Sequence, residues 1–115
     1  MKFNVVLGNP PYQQADNNTK QWQKFVEKLF PVLAEKGVMS LIVPSVWLFR
    51  DGRSFSKMRN IVEQNDLVES NTDLSPFFPD IGEKIGSFIL RKSKTNIKSI
   101  IDGREEDLSK SLNDY

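Results

Sequence analysis

The sequence contains no cysteine and no histidine among its 115 residues. The first absence excludes disulfide bonds, thiolate nucleophiles and Cys-ligated zinc, and the second removes the side chain that most often binds metals and titrates near neutral pH. Most hydrolase and metalloenzyme mechanisms are therefore disfavoured, and we expect no metal site. A chain of this length holds one domain with one hydrophobic core.

Long hydrophobic runs and an excess of one charge are also missing. The longest apolar stretch, 38–49, is too short to cross a bilayer, and no apolar segment follows a basic start at the amino terminus. Sixteen basic residues against fifteen acidic ones give a net charge of +1, and 38% of the residues are hydrophobic. This composition is typical of a globular protein. We expect a cytoplasmic location and no membrane partner.

Hydrophobic periodicity predicts a strand, a helix and a second strand in the first part of the chain. Phe3–Leu7 is a short apolar run, typical of a strand buried in a parallel sheet. The apolar stripe over 22–33 predicts an amphipathic helix that ends at Gly37, with Pro31 kinking its last turn or ending it early. Val38–Val43 predicts the next strand. This order indicates a right-handed parallel crossover and half of a doubly wound α/β sheet.

The second part of the sequence continues the alternation. A stripe of apolar residues predicts a helix over 53–65. Strands follow at 67–72 and 85–90, with an aromatic loop at 77–82 between them. A weaker strand candidate lies at 97–101, and the polar end of the chain indicates a tail or a short helix.

Asn9-Pro10-Pro11-Tyr12 follows the first predicted strand and is the most informative feature of the sequence. Ligands of open α/β sheets bind beyond the carboxyl ends of the strands. Two prolines stiffen the turn. It can present an amide side chain and a backbone carbonyl as two acceptors for a planar amino group, while Tyr12 stacks on the ring that carries it. The structural alternative is a turn that only ends the strand.

Three segments of the sequence resemble a known family. Residues 3–13 closely resemble the catalytic motif of amino-methyltransferases that use S-adenosylmethionine and methylate adenine N6. Residues 42–48 are similar to the fifth-strand segment of γ-type DNA adenine methyltransferases, and residues 85–91 resemble their later aromatic-bearing strand. The segments occur in the family's order. The nearest match is the methylase part of type II restriction-modification enzymes, and it covers residues 2–94.

The resemblance implies a partial Rossmann-like S-adenosylmethionine-dependent methyltransferase fold, with three α/β/α layers and a mixed sheet in the order β-α-β-α-β-β. Residues 1–95 would form the carboxyl half of the catalytic domain, and residues 96–115 a tail or the start of a connection. In this family a glycine-bearing turn and an acidic residue on earlier strands hold the cofactor. We expect those strands to lie outside the sequence, and the chain alone to have little or no activity.

The resemblance also assigns roles to the residues of the turn. Asn9 and the carbonyl of Pro10 would accept hydrogen bonds from the target amine, which makes the lone pair of its nitrogen more available as the methyl group is transferred. Pro11 belongs to the same catalytic turn. Tyr12 would stack on a base that has flipped out of the DNA duplex.

Two further aromatic residues are candidates for contact with the base. Phe88 would correspond to the family's second aromatic contact, and Trp47 would shape the wall of the pocket. An apolar residue in a buried strand is as often a core residue, so the structural alternative stays open for both.

DNA is the expected partner, and two alternatives remain open. Protein-glutamine and RNA-adenine methyltransferases use the same two-acceptor chemistry on a similar amine, and a noncatalytic α/β module could bind nucleic acid or a partner chain. Without the strands that precede it, the first strand should expose one sheet edge. That edge would pair with the missing half of the domain or with a second copy of the chain.

Overall fold

The computed structural model of the chain describes residues 1–10, 21–49, 53–79 and 84–115. These residues form six strands, β1 Phe3–Gly8, β2 Leu33–Pro44, β3 Asp66–Asn71, β4 Ile85–Arg91, β5 Ser99–Ile101 and β6 Arg104–Glu106. The α-helices are α1 Gln21–Leu29, α2 Val46–Phe49 and α3 Ser56–Glu63. Short 3₁₀ turns lie at Phe30–Val32, Arg53–Phe55, Ser75–Phe77 and Leu112–Asp114. None of the described helices is long and apolar enough to span a membrane.

The six strands form one mixed sheet in the order β1-β2-β4-β3-β5-β6. β1 is parallel to β2, and β3 is parallel to β5. β4 is antiparallel to both β2 and β3, and β6 is antiparallel to β5. Consequently β1, β2, β3 and β5 run in the same direction, and their carboxyl ends meet at one edge of the sheet. The predicted mixed α/β architecture is confirmed.

Helices α1 and α3 pack on the same face of the sheet. Their apolar side chains join those of β2 and β4 in one buried cluster, which includes Trp22, Val26, Met39, Leu41, Met58, Val62, Phe88 and Leu90. An ion pair of 3.7 Å between Lys57 and Glu27 links the two helices at the surface. Burial of one such apolar side chain contributes about 1.5–3 kcal/mol, so this cluster is the main source of stability. The second helix layer of the predicted three-layer arrangement is not part of the described residues.

The first helix is shorter than the sequence predicts. α1 ends at Leu29, and Pro31 lies in the 3₁₀ turn that follows, because proline removes an α-helical hydrogen bond. The chain then enters β2, and Gly37 lies buried within this strand. Its carbonyl accepts a hydrogen bond of 2.8 Å from the backbone N–H of Lys92, just beyond β4. The early end at Pro31 is confirmed, whereas the predicted helix stop at Gly37 is wrong.

The residues after position 96 belong to the sheet and its core. β5 pairs with β3 through Glu69 with Ile100 and Ser70 with Ile101, so the weak strand candidate is confirmed. Leu108 and Leu112 are buried, with 5% and 2% of their surface exposed. The last 20 residues therefore add two strands and a docked turn, where the sequence indicates a tail.

Candidate functional site

The candidate site lies where the parallel strands end. Asn9 follows β1, Ser45 follows β2, Thr72 follows β3 and Asp102 follows β5. The register places the ends of β1, β3 and β5 at about one level, and β2 continues three residues beyond Leu41, the partner of Gly8. Ligands of open α/β sheets bind at this kind of edge. The structure thus brings Asn9 to the position that the sequence predicts.

The turn after β1 is described as far as Pro10. Asn9 is exposed, and Pro10 is buried. Gly8 allows close packing at this point, because a Cβ atom there would lie 3.1 Å from the Cδ2 atom of Leu41. Pro11 and Tyr12 lie outside the described residues, so their predicted roles remain predictions.

An open groove of about 390 Å³ runs between the end of β1 and helix α1. Its lining is mostly apolar and comprises Val6, Leu7, Gly8, Asn9, Pro10, Phe25, Leu29 and Leu41. Phe25 of α1 is 42% exposed at this groove, although the helix buries Trp22 and Val26. The groove therefore offers a flat aromatic ring and aliphatic walls beside the Asn9 side chain.

Ser45 ties the end of β2 to its neighbours. Its hydroxyl donates to the carbonyl oxygen of Thr72 at 2.7 Å, and its backbone N–H donates to the carbonyl oxygen of Lys84 at 3.1 Å. Gly86 is required beside it, because a Cβ atom there would collide with the carbonyl oxygen of Asn71. The ends of β2, β3 and β4 are thus packed backbone to backbone.

Asp102 extends this polar connection to β5. Its carboxylate accepts hydrogen bonds from the backbone N–H of Thr72 at 2.7 Å and from the Thr72 hydroxyl at 2.6 Å. Asp102 has a φ of 50°, a left-handed conformation that Asp adopts more readily than most residues. A chain of hydrogen bonds therefore runs from Asp102 through Thr72 to Ser45 and fixes the edge of the sheet.

Trp47 and Phe88 lie in the core beneath this edge. Each is 1% exposed, and their rings meet edge to face with centroids 5.7 Å apart and planes inclined by 74°. A base cannot stack on a ring that has no accessible face. The structure therefore favours the core alternative for both residues, and their predicted contact with a base is not supported.

The carboxylates with shifted pKa values are held by local hydrogen bonds. Burial of Asp66 alone would raise its pKa, but hydrogen bonds from Ser93 and Thr95 outweigh this effect and leave the pKa below its ordinary value. Hydrogen bonds from Ser75 lower the pKa of Asp73, which is exposed beside the candidate site. Asp66 lies at the opposite edge of the sheet from Asn9. It fixes the turn after β4 and has no part in the site.

Similar solved structures define the class of the fold. The methyltransferase subunit of a type I restriction-modification system from Streptococcus thermophilus superimposes with a TM-score of 0.66 at 21% identity, over 89% of this chain and 26% of that chain. A Listeria monocytogenes protein assigned to the class I S-adenosylmethionine-dependent methyltransferases gives a TM-score of 0.60 at 14% identity, over 85% of this chain and 34% of that chain. The chain thus has part of the Rossmann-like fold of S-adenosylmethionine-dependent methyltransferases.

The sequence places the chain within one family of that class. The family model of the Eco57I restriction-modification methylase matches residues 1–78, and the chain belongs to this family. An uncharacterized adenine-specific methylase of Mycoplasma pneumoniae is 33% identical over 79 residues, which are 62% of this chain and 18% of that protein. The resemblance to restriction-modification methylases is confirmed. The chain spans less than a fifth of this relative.

Proposed function

We propose that the chain is a segment of a DNA methyltransferase of a restriction-modification system, which transfers a methyl group from S-adenosylmethionine to N6 of a flipped-out adenine. The observation that carries this proposal is the position of Asn9 and Pro10 at the carboxyl end of β1, in a chain of the Eco57I methylase family. The adenine-specific methylase of Mycoplasma pneumoniae supports adenine as the target.

The role of this turn is to bind the amino group that becomes methylated. The Asn9 side-chain oxygen and the Pro10 carbonyl oxygen each accept one N–H of the exocyclic amine, since a planar amino group has two donors. Both acceptors favour the positive charge that develops on the nitrogen during transfer. Tyr12 stacks on the flipped base, as the resemblance implies, and unstacking of the base from the duplex allows the amine to reach the turn.

The groove beside β1 does not fit the cofactor by itself. S-adenosylmethionine carries ribose hydroxyls, an ammonium group and a carboxylate, which need polar or charged partners when they are buried. The groove beside β1 has aliphatic walls, one phenyl ring and the amide of Asn9, and no charged residue is among its described lining. We therefore propose that the main cofactor site lies outside this groove, in the other half of the catalytic domain that the resemblance implies.

That part would join along β1, on the side of this strand that pairs with no strand of the described residues. β1 is the terminal strand of the sheet that the described residues form, and its Phe3, Val5 and Leu7 side chains are 48%, 58% and 74% exposed. An uncharged, apolar edge strand readily pairs with another strand. Residues 1–95 then act as the carboxyl half of a catalytic domain, and the edge pairs with the half that binds the cofactor. Pairing of two copies of this chain is the alternative.

The decisive experiment measures transfer of labelled methyl groups from S-adenosylmethionine to adenine-containing DNA. The chain alone is compared with the protein encoded by its complete gene and with that protein carrying Asn9→Ala. We expect transfer by the complete protein only, and a loss of about 10²–10³-fold in rate in Asn9→Ala, by analogy with removal of one oxyanion-hole donor. Asn4→Ala is the matched control, because Asn4 is an exposed asparagine on β1, the strand that Asn9 follows.

The other outcomes separate the alternatives. Transfer to RNA or to glutamine-containing peptides, with none to DNA, would assign the same turn to a different substrate. An Asn9→Ala protein with the activity of Asn4→Ala would show that the turn has no catalytic role, and a noncatalytic binding module would then be the better description.

A further inference from the structure

Helix α2 follows Ser45 directly, at the carboxyl end of β2, and β2 is the neighbour of the strand that leads to Asn9. It has only four residues, and a helix of this length leaves its last carbonyl groups without partners inside the helix. Arg59 of α3 supplies the missing donors. Its Nη1 atom donates to the carbonyl oxygen of Trp47 at 2.6 Å and to that of Leu48 at 3.1 Å. The backbone of α2 is therefore held by a side chain from a different helix.

Arg59 is itself held by the end of the chain. Its Nη2 atom donates to the side-chain oxygen of Asn113 at 2.7 Å. One helical turn further along α3, the carboxylate of Glu63 accepts a hydrogen bond of 3.0 Å from the backbone N–H of Leu112. Residues at i and i+4 share one face of a helix, so Arg59 and Glu63 together fix the turn at Leu112–Asp114 on α3. This turn lies beyond residues 1–78, which the family model matches.

The chemistry of this contact is specific to arginine. Arg59 is 5% exposed, and a buried charge is costly unless its hydrogen-bonding groups are satisfied. The planar guanidinium carries five donors in a fixed arrangement and serves the three acceptors at once. Lysine has a single nitrogen on a flexible stem, and it cannot reach three acceptors in the same geometry.

We propose that Arg59 is a positioning residue for the candidate site, which fixes the Trp47–Leu48 backbone and so the end of β2, the strand beside the one that leads to Asn9. Asn113 orients the guanidinium from the other side. The role in catalysis rests on the proposed function, whereas the restraint on α2 does not.

The first part of the test uses hydrogen exchange of this chain and needs no activity. Arg59→Lys and Asn113→Ala are compared with Lys57→Met, whose side chain is 84% exposed on the same helix. We expect the amides of residues 46–49 to exchange about 10–100-fold faster in Arg59→Lys, because loss of a hydrogen bond to a charged group raises the population of the locally opened state by about this factor. The effect should be smaller in Asn113→Ala, and exchange in β2 and β4 should not change. Equal acceleration throughout the core, or none at 46–49, would overturn the proposal.

The second part measures methyl transfer by the complete protein. We expect Arg59→Lys to lower kcat about 10-fold with an unchanged KM for DNA. Arg59→Met should lower kcat further, because lysine can still donate a hydrogen bond and methionine cannot. Lys57→Met should keep the parental kinetics. Faster exchange at 46–49 with parental kcat would overturn the positioning role and leave a structural contact. A complete parental protein without any transfer would instead refute the proposed function, and the catalytic role of Arg59 with it.

Discussion

Replacement of Phe88 by alanine tests whether this side chain is a core residue or a base-binding residue. Phe88 is 1% exposed, pairs with Leu41 in the sheet and meets Trp47 edge to face. Truncation of a buried phenylalanine to alanine costs about 3–5 kcal/mol. The aromatic pair accounts for about 0.5–1.5 kcal/mol of stability beyond burial of area. We therefore expect Phe88→Ala to lower the free energy of unfolding by at least about 3 kcal/mol.

Urea unfolding followed by circular dichroism measures this loss as a lower midpoint. A small domain has about 5–15 kcal/mol in total, so Phe88→Ala leaves little margin, and Phe88→Leu provides a milder variant with an expected loss of about 1–2 kcal/mol. Phe77→Ala is the matched control, because Phe77 is 76% exposed and its loss should stay within about 0.5 kcal/mol. A Phe88→Ala chain as stable as Phe77→Ala would refute the core assignment, and would restore contact with a base as the role of Phe88.

Two further predictions concern acid stability and the free edge of the sheet. The pKa of Asp66 is lower in the folded chain than its ordinary value of 3.8, so the unfolded chain binds more protons at low pH. The stabilisation is thus complete above that value and disappears as the pH falls below it, and Asp66→Asn should flatten the fall in unfolding free energy between about pH 5 and pH 2. Leu7→Lys should lower self-association of the chain in sedimentation experiments, because Leu7 is 74% exposed on the edge strand and lysine disfavours pairing of edges. Self-association equal to that of the parent would argue against the edge as the contact.

Periodicity predicts an element well when the element is long enough to repeat its pattern. β1, β3 and β4 lie within one residue of their predicted bounds, and α3 lies inside its predicted range, because each carries a clear apolar run or stripe. The four residues of α2 complete a single turn and carry no period, so the sequence does not reveal them. Phe30 and Leu33 continue the apolar stripe of α1, so the pattern does not distinguish a longer helix from the start of β2. Pairing of β2 with distant residues such as Lys92 determines the strand.

In the candidate site too, the sequence predicts what local patterns determine and misses what distant contacts determine. The sequence places Asn9 at a strand end correctly, because the motif directly follows a clear strand. Contacts between distant residues give no local signal, and the hydrogen bonds that join Ser45, Thr72 and Asp102 span 27 and 30 residues. Arg59 occupies a position on an amphipathic helix where a charged residue is ordinarily solvated. Only the structure shows that the carbonyl groups of α2 lie within its reach.

The edge that carries the site depends on residues outside the part of the chain that the family model matches. Residues 1–78 contain β1, β2 and β3, but β2 and β3 are not neighbours in the sheet, because β4 lies between them. Ser45 is positioned by the carbonyl of Lys84, and Thr72 by the carboxylate of Asp102. Without the last third of the chain, β2 and β3 would therefore lack the strand that lies between them and pairs with both. Asn9 and Pro10 of the family motif directly follow β1, whereas the remainder of the edge beside them is assembled from the whole described fold.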